Sequence, residues 1–334
     1  EGHRLLRGVA GSGKTLILSC RAKYLAKTNP GWRILVLCYN VTLSRYIQHV
    51  IDNLEIEADN NSTIEVCNFH FWVAKHWGIK KAANEIPDEE ILRVCQGIEQ
   101  GKLSGPLYDA ILIDEGQDLE SSWLRLVLST LKSETGSLLL VEDRAQEIYR
   151  RKSYSQELGL SFRGRSRILT INYRNTEQIV QFAWDMYEHF NPTKRSERSE
   201  GIVEIIPPQS TRRKGPAPFV KKTSSFHDEA RSIASEIKRL HYIENIDYSQ
   251  IAVFYRVKQM SIPYVKILIN TFKKQGISYY WLSENFESKR MFDRNESTVK
   301  ISTVESAKGL EFNVVFVCNL DNFKPFSTAY CTAK

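Results

Sequence analysis

Eight consecutive residues, Gly8-Val9-Ala10-Gly11-Ser12-Gly13-Lys14-Thr15, fit the pattern G-x-x-x-x-G-K-[ST], a spacing suited to holding phosphate. The glycines let successive backbone N–H groups converge on phosphate oxygens without side-chain interference. The helix expected to follow adds partial positive charge at its N-terminus. Lys14 would reach the β- and γ-phosphates of a nucleoside triphosphate, and Thr15 would place its hydroxyl on Mg²⁺. Farther along, Ala110-Ile111-Leu112-Ile113-Asp114-Glu115 is an apolar run that ends in two carboxylates. Asp114 can hold the metal through water, and Glu115 can orient and deprotonate an attacking water. Each stretch also has a plain reading, as a flexible Gly/Ser loop with a surface lysine and as a solvated carboxylate pair. Their joint presence favours the catalytic one.

Both stretches need strands and helices to position them. Residues 3–7 are short and apolar enough for a strand, and 15–25 have helical spacing through Leu16, Ile17, Cys20, Tyr24 and Leu25. The near-continuous apolar run 32–39 predicts a strand buried on both faces of a parallel sheet. Residues 41–51 predict a helix with Leu43, Ile47, Val50 and Ile51 inward, and 64–70 a strand ending in polar and aromatic residues. Residues 75–107 read as helical and charged, with Pro87-Asp88-Glu89-Glu90 as a helix start. Further strands are expected over 138–143, 251–255, 299–304 and 314–318, and helices over 228–242 and 262–274. The alternation predicts an α/β protein with parallel sheets. Residues 191–223, rich in Pro, Ser, Lys and Arg around Arg212-Arg213-Lys214-Gly215-Pro216, read as a surface loop or as a phosphate-backbone contact.

The 334 residues suffice for two ordinary domains, and 42% hydrophobic with 25% charged residues is the profile of a soluble globular chain. A net charge of +7 suits a polyanionic partner. No apolar run approaches the roughly 20 residues of a membrane span, and no signal peptide is visible. The six cysteines form no C-x-x-C pair, which points to a reducing cytoplasm and away from structural zinc or iron–sulfur clusters. Without an initiator Met or lead-in, the chain reads as a piece of a longer one.

In order, Gly8–Thr15, residues 34–43, Asn68-Phe69-His70, Asp114-Glu115-Gly116-Gln117-Asp118, 143–149, Asn172-Tyr173-Arg174, 251–256 and 303–312 resemble superfamily 1 helicases of the UvrD/Rep/PcrA type. The wording of Gly8–Thr15, and of Gly164-Arg165-Ser166-Arg167 with Asn172-Tyr173-Arg174-Asn175-Thr176, is most similar to the branch often fused to a nuclease-related domain. The resemblance implies two RecA-like P-loop NTPase domains, 1–168 and 169–334, the second incomplete, with ATP and Mg²⁺ between them and single-stranded DNA across their tops. It implies that Gly8, Gly11, Ser12, Gly13, Lys14 and Thr15 cradle the nucleotide and that Gln117 and Gln146 sense its γ-phosphate. Tyr173 would stack on adenine, Arg174 would act as an arginine finger from the second domain, and Glu311 would meet the sugar beside Gly309. For single-stranded DNA, or DNA with a 3′ tail, the matching positions are Tyr39, Phe69, His70 and Tyr149. Aromatic faces there would stack on bases, although Phe69 and Tyr149 also suit a core. The implied direction is 3′ to 5′.

The chain departs from the family pattern at several places. Glu142 stands where Gly is usual, Arg151 where Trp is common and Glu305 where His is common. Residues 71–113 and 257–298 are short where better-known members carry large helical insertions, so a small insertion at about 72–107 is expected and the accessory subdomains are small or absent. The last family motif is not legible after Val317. The lead expectation is therefore an ATP-hydrolysing translocase or helicase, with or without an associated nuclease. The alternative is a catalytically weak ATP-binding regulatory module of a nuclease–helicase complex. A GTPase is disfavoured, since no N-K-x-D segment appears, and a small-molecule kinase, since it would not need a second α/β domain.

Overall fold

The computed structural model describes residues 2–55, 61–79, 86–134, 136–143, 158–190, 209–210, 213–256 and 258–320. Contacts divide the chain into two compact units, Glu1–Asn175 with Gly201–Thr211, and Thr176–Glu200 with Arg212–Lys334.

The first unit is built on β1 (Arg4–Gly8), β2 (Arg33–Cys38), β3 (Thr63–Asn68), β4 (Ala110–Ile113), β5 (Ser137–Glu142) and β6 (Ser166–Leu169). They form one sheet in the order β3-β2-β4-β5-β1-β6, with every pairing parallel. The alternation of side chains along each strand sorts residues into two cores. Leu5, Leu35, Leu37, Ile111, Ile113, Leu138 and Leu140 face α3 (Phe69–Trp77), α4 (Asp88–Glu99) and α5 (Ser121–Leu128). Leu6, Ile34, Val36, Cys38, Ala110, Leu112 and Val141 face α1 (Lys14–Thr28) and α2 (Val41–Asn53). The strands therefore read as continuous apolar runs because both faces are covered.

The helix α2 follows its sequence pattern. Leu43, Ile47 and Ile51 are buried at four-residue steps, and the Asn40 side chain caps the start by accepting from Thr42 N at 2.9 Å. The helix α1 does not present the expected face. Leu18, Ala22, Leu25 and Ala26 are buried, whereas Leu16 and Tyr24 are exposed by 54% and 52%. The turn that orients Lys14 fixes the rotation of this helix, and the small Ala22 and Ala26 let it approach the sheet closely. The expected strand over 64–70 is also shorter. It stops at Asn68, and Phe69 and His70 open α3 instead.

A short parallel pair, β7 (Ile171–Asn172) and β8 (Gln209–Ser210), completes the strands of the first unit. The second unit carries β9 (Ile251–Tyr255), β10 (Tyr279–Trp281), β11 (Val299–Thr303) and β12 (Val314–Val317) as a parallel sheet in the order β10-β11-β9-β12. Ile233, Ala234 and Ile237 from helix Phe226–Ile243, and Val265, Leu268 and Phe272 from helix Lys258–Gln275, close its core. The edge strand β10 was not anticipated from its sequence. The division between units was expected after residue 168, but the contacts place it after Asn175. The reason is local: β6 pairs with β1, and Tyr173 N donates to Gly11 O at 2.9 Å, which ties residues 166–175 to the first sheet.

Candidate nucleotide-hydrolysis site

In parallel α/β sheets ligands gather at the C-terminal ends of the strands. That end of the first sheet carries the phosphate loop after β1, Asp114 and Glu115 after β4, and Asp143 after β5. Strand β5 lies between β1 and β4 in the sheet, so Asp143 stands between the loop and the carboxylate pair.

The loop is shaped by close contacts. Gly11 (φ +71°) and Gly13 (φ +83°) are left-handed, and a Cβ on Gly11 would lie 2.5 Å from Asn172 Oδ1 and 2.8 Å from Arg174 Cβ. Asn172 forms the matching turn, its Oδ1 accepting from Arg174 N at 3.0 Å and Asn175 N at 2.9 Å. Gly11→Ala is therefore expected to destabilise the first unit by roughly 2–4 kcal/mol, combining left-handed strain with overpacking. A urea titration would show it. An unchanged midpoint would mean that the Asn172 turn is not seated on the loop.

Whether a triphosphate and magnesium fit can be judged from the side chains present. The helix α1 has no side-chain N-cap bond and no acid in its first turn, so its N–H groups are aimed at an anion. Among the described residues, a Cβ on Gly13 would meet nothing within 4 Å, and the buried Ser12 Oγ has no hydrogen-bond partner. Lys14 is buried, its Nζ donating to Gly8 O at 2.9 Å and Val9 O at 3.0 Å and lying 3.4 Å from Asp143 Oδ2. Thr15 Oγ1 donates to Asp114 Oδ2 at 2.7 Å. A hydroxyl and a carboxylate in that contact are hard oxygen ligands of the kind Mg²⁺ takes. The residues fit the group.

The carboxylates are held under strain. Glu115 has φ 50° and ψ 45°, the left-handed region that costs a non-glycine residue roughly 1–2 kcal/mol. A Cβ on the next residue, Gly116, would press on the Leu140 side chain, so a larger residue there would have to displace it. Gln117 links the parts: its Nε2 donates to Glu115 Oε2, and its Oε1 accepts from Asp143 N at 3.1 Å. Asp114 is fully enclosed, and burial together with the neighbouring Glu115 raises its pKa to about 6, against the pull of Thr15 and Lys14. Glu142, in place of the usual glycine, points its carboxylate at Arg7 Nε, 3.4 Å away, on the residue paired with it across β1 and β5.

Other expected residues are dispersed. Tyr173 is 60% exposed and lies one residue from Arg174, and both belong to the first unit rather than the second. Gln146 and Tyr149 lie outside the described residues. Gly309 (φ +85°) and Glu311 lie in the turn after β11 of the second unit. Phe69, expected to face nucleic acid, is fully buried and stacks on Trp123 with ring centroids 4.7 Å apart. His70 is also buried, its Nδ1 accepting from Ile86 N at 3.1 Å. Tyr39 remains half-buried and stacks on Trp123 at 5.9 Å. Trp123, which no sequence motif marks, organises this aromatic group, and its indole N–H donates to Asp88 Oδ1 at 2.8 Å. In the sequence Asp143 is only the end of a strand, and the sheet order is what brings it into an ion pair with Lys14.

Among the described residues, no helix is long and apolar enough to cross a membrane. The AAA domain family matches residues 1–152, and the UvrD-like helicase C-terminal domain family matches 168–297 and 284–328. A protein of Acanthamoeba polyphaga mimivirus, provisionally named an ATP-dependent DNA helicase, is 25% identical over 335 residues, covering 92% of this chain and 44% of its own length. A protein of Mycoplasma capricolum, provisionally named a DNA helicase II homolog, is 27% identical over 168 residues, covering 49% of this chain and 22% of its own. The chain thus spans less than half the length of these relatives. Two family matches in this order, on two parallel α/β units with the phosphate loop in the first, place the chain among the UvrD-like helicases of superfamily 1.

Proposed function

We propose that this chain carries the motor of an ATP-dependent translocase or helicase that moves 3′ to 5′ on single-stranded DNA. The observation that carries the reading is the linkage of Lys14, Thr15, Asp114, Glu115, Gln117 and Asp143 at one sheet end. The loop N–H groups and Lys14 bind the β- and γ-phosphates, for which a phosphate oxygen is a stronger acceptor than the loop carbonyls Lys14 now uses. Thr15 and Asp114 would hold magnesium, which neutralises charge on the phosphate oxygens. Glu115, set by its left-handed backbone and by Gln117, takes the proton of the attacking water. Gln117 also touches the backbone beside Asp143, so it can report the state of Lys14 to Glu115. Arg174 supplies positive charge to the γ-phosphoryl, and Tyr173 offers a ring to adenine. These two roles, that of Glu311 at the sugar and the direction of travel rest on the family likeness. So does an associated nuclease.

The test is ATP hydrolysis by the full-length protein with and without a single-stranded oligodeoxynucleotide. A motor predicts stimulation of at least about tenfold, since the translocation cycle is gated by the strand. Hydrolysis indifferent to DNA would leave the regulatory ATP-binding module instead, and equal turnover of GTP and ATP would reopen the GTPase class.

A further inference from the structure

The edge strand β10 borders a cleft of about 500 Å³ within the second unit. Tyr279, Tyr280 and Trp281 line it from the strand, and Lys266 and Lys273 from helix Lys258–Gln275, with Glu284 as its one acid. The two lysines are seven residues apart, on one helix face and separated by about 10 Å along the axis. Both are exposed, and among the described residues neither has an ion-pair partner.

The rings are fixed in place by their own polar atoms. Tyr280 Oη donates to Ser288 O at 2.6 Å, and Trp281 Nε1 donates to Tyr255 Oη at 2.8 Å, which in turn bonds Ser283 Oγ at 2.7 Å. The Lys300 ammonium lies 5.8 Å from the Tyr280 ring centre. Anchored at their polar ends, half-buried rings offer apolar surface at little conformational cost. Aromatic platforms beside unneutralised cations are what a strand of unpaired bases needs, because bases stack without regard to sequence and phosphates seek lysine.

We propose that this cleft is a contact for single-stranded nucleic acid, in which bases stack at Tyr279 and Trp281, which share the face covered by the helix, while Lys266 and Lys273 neutralise flanking phosphates. It rests on the nucleic-acid reading above, but uses residues that no motif of the family likeness includes. An acidic peptide laid along the edge of β10 is the competing occupant. The rings favour the strand of bases, since an acidic side chain gains nothing from them.

The full-length protein would be titrated with a fluorescein-labelled oligothymidylate across a range of salt concentrations. Lys266→Gln/Lys273→Gln is expected to weaken binding about tenfold and to lower the slope of log K against log salt by about 1.4, for two phosphates lost. Both side chains are exposed, and a thermal melt checks that the fold is kept. Photocrosslinking of the wild-type protein to a 5-iodouracil oligonucleotide, which needs no variant, is expected to mark Tyr279 or Trp281. An unchanged salt slope with crosslinks only in the first unit would overturn this site and leave the motor reading standing. Failure of the wild-type protein to bind the oligonucleotide would remove both. Loss of polyglutamate binding with full retention of oligonucleotide binding in the variant would assign the cleft to a peptide and overturn the proposal.

Discussion

Glu115→Gln is expected to lower the maximal rate of ATP hydrolysis by about 10²–10⁴-fold while nucleotide still binds. An amide at this position keeps the shape and the acceptor oxygen for Gln117 Nε2, and so preserves the link onward to Asp143 N. What it removes is the ability to take a proton. The exchange also separates chemistry from stability. Asp114 is raised from 3.8 to about 6, first by burial and next by Glu115. A carboxyl raised on folding contributes stability at low pH that is lost as pH climbs from its unfolded to its folded value. Removing the Glu115 charge relieves part of that loss, so nucleotide-free Glu115→Gln should be more stable than wild type at pH 8, by about 1 kcal/mol, with the gap shrinking below pH 6. Steady-state hydrolysis and melts at pH 5 and pH 8 would check both halves. A variant that turns over ATP at the wild-type rate would remove Glu115 from the chemistry.

The fold and the phosphate site were legible in the sequence to different depths, for physical reasons. Strands buried on both faces declare themselves as apolar runs, and the loop glycines and Asp114-Glu115 declare themselves because their chemistry tolerates few substitutes. Helix rotation is less visible. Spacing gave α1 an apolar face through Leu16 and Tyr24, but the sheet took Leu18, Ala22 and Ala26, since close approach rewards small residues as well as apolar ones. Aromatic roles were the least legible, because a ring that stacks on a base and a ring that fills a core have the same composition. Phe69 is a core ring in this structure, and only Trp123 beneath it shows why. The cluster Tyr279-Tyr280-Trp281 carried a strand signal in its β-favouring residues, yet three residues are too few to stand out beside a turn. The Glu142 departure acquires a reason only in register, where Arg7 lies opposite it.

Lys14→Ala is expected to reduce DNA-stimulated ATP hydrolysis by about 10²–10³-fold, the loss typical of removing one pre-aimed donor to developing charge. It should also cost stability, which distinguishes this lysine from an ordinary surface residue. Lys14 and Asp143 are exposed by only 7% and 0%, and the ammonium serves two loop carbonyls as well as the carboxylate. Removing it leaves a buried carboxylate with one cation fewer. Breaking a buried pair is costly, and at an N···O distance of 3.4 Å the penalty should fall at the lower end, about 3 kcal/mol. Asp114 loses an attracting charge at the same time, so its pKa moves further up. Lys14→Ala/Asp143→Asn should therefore recover much of the lost stability, because an amide needs no counter-charge, while hydrolysis stays as low as in the single variant. Urea midpoints for both single variants and the double give the coupling directly. If the double variant were no more stable than Lys14→Ala, the pair would be incidental to folding. If Lys14→Ala hydrolysed ATP within tenfold of wild type, the loop would not be gripping a transferring phosphate, and the assignment of the whole strand-end site would fall with it.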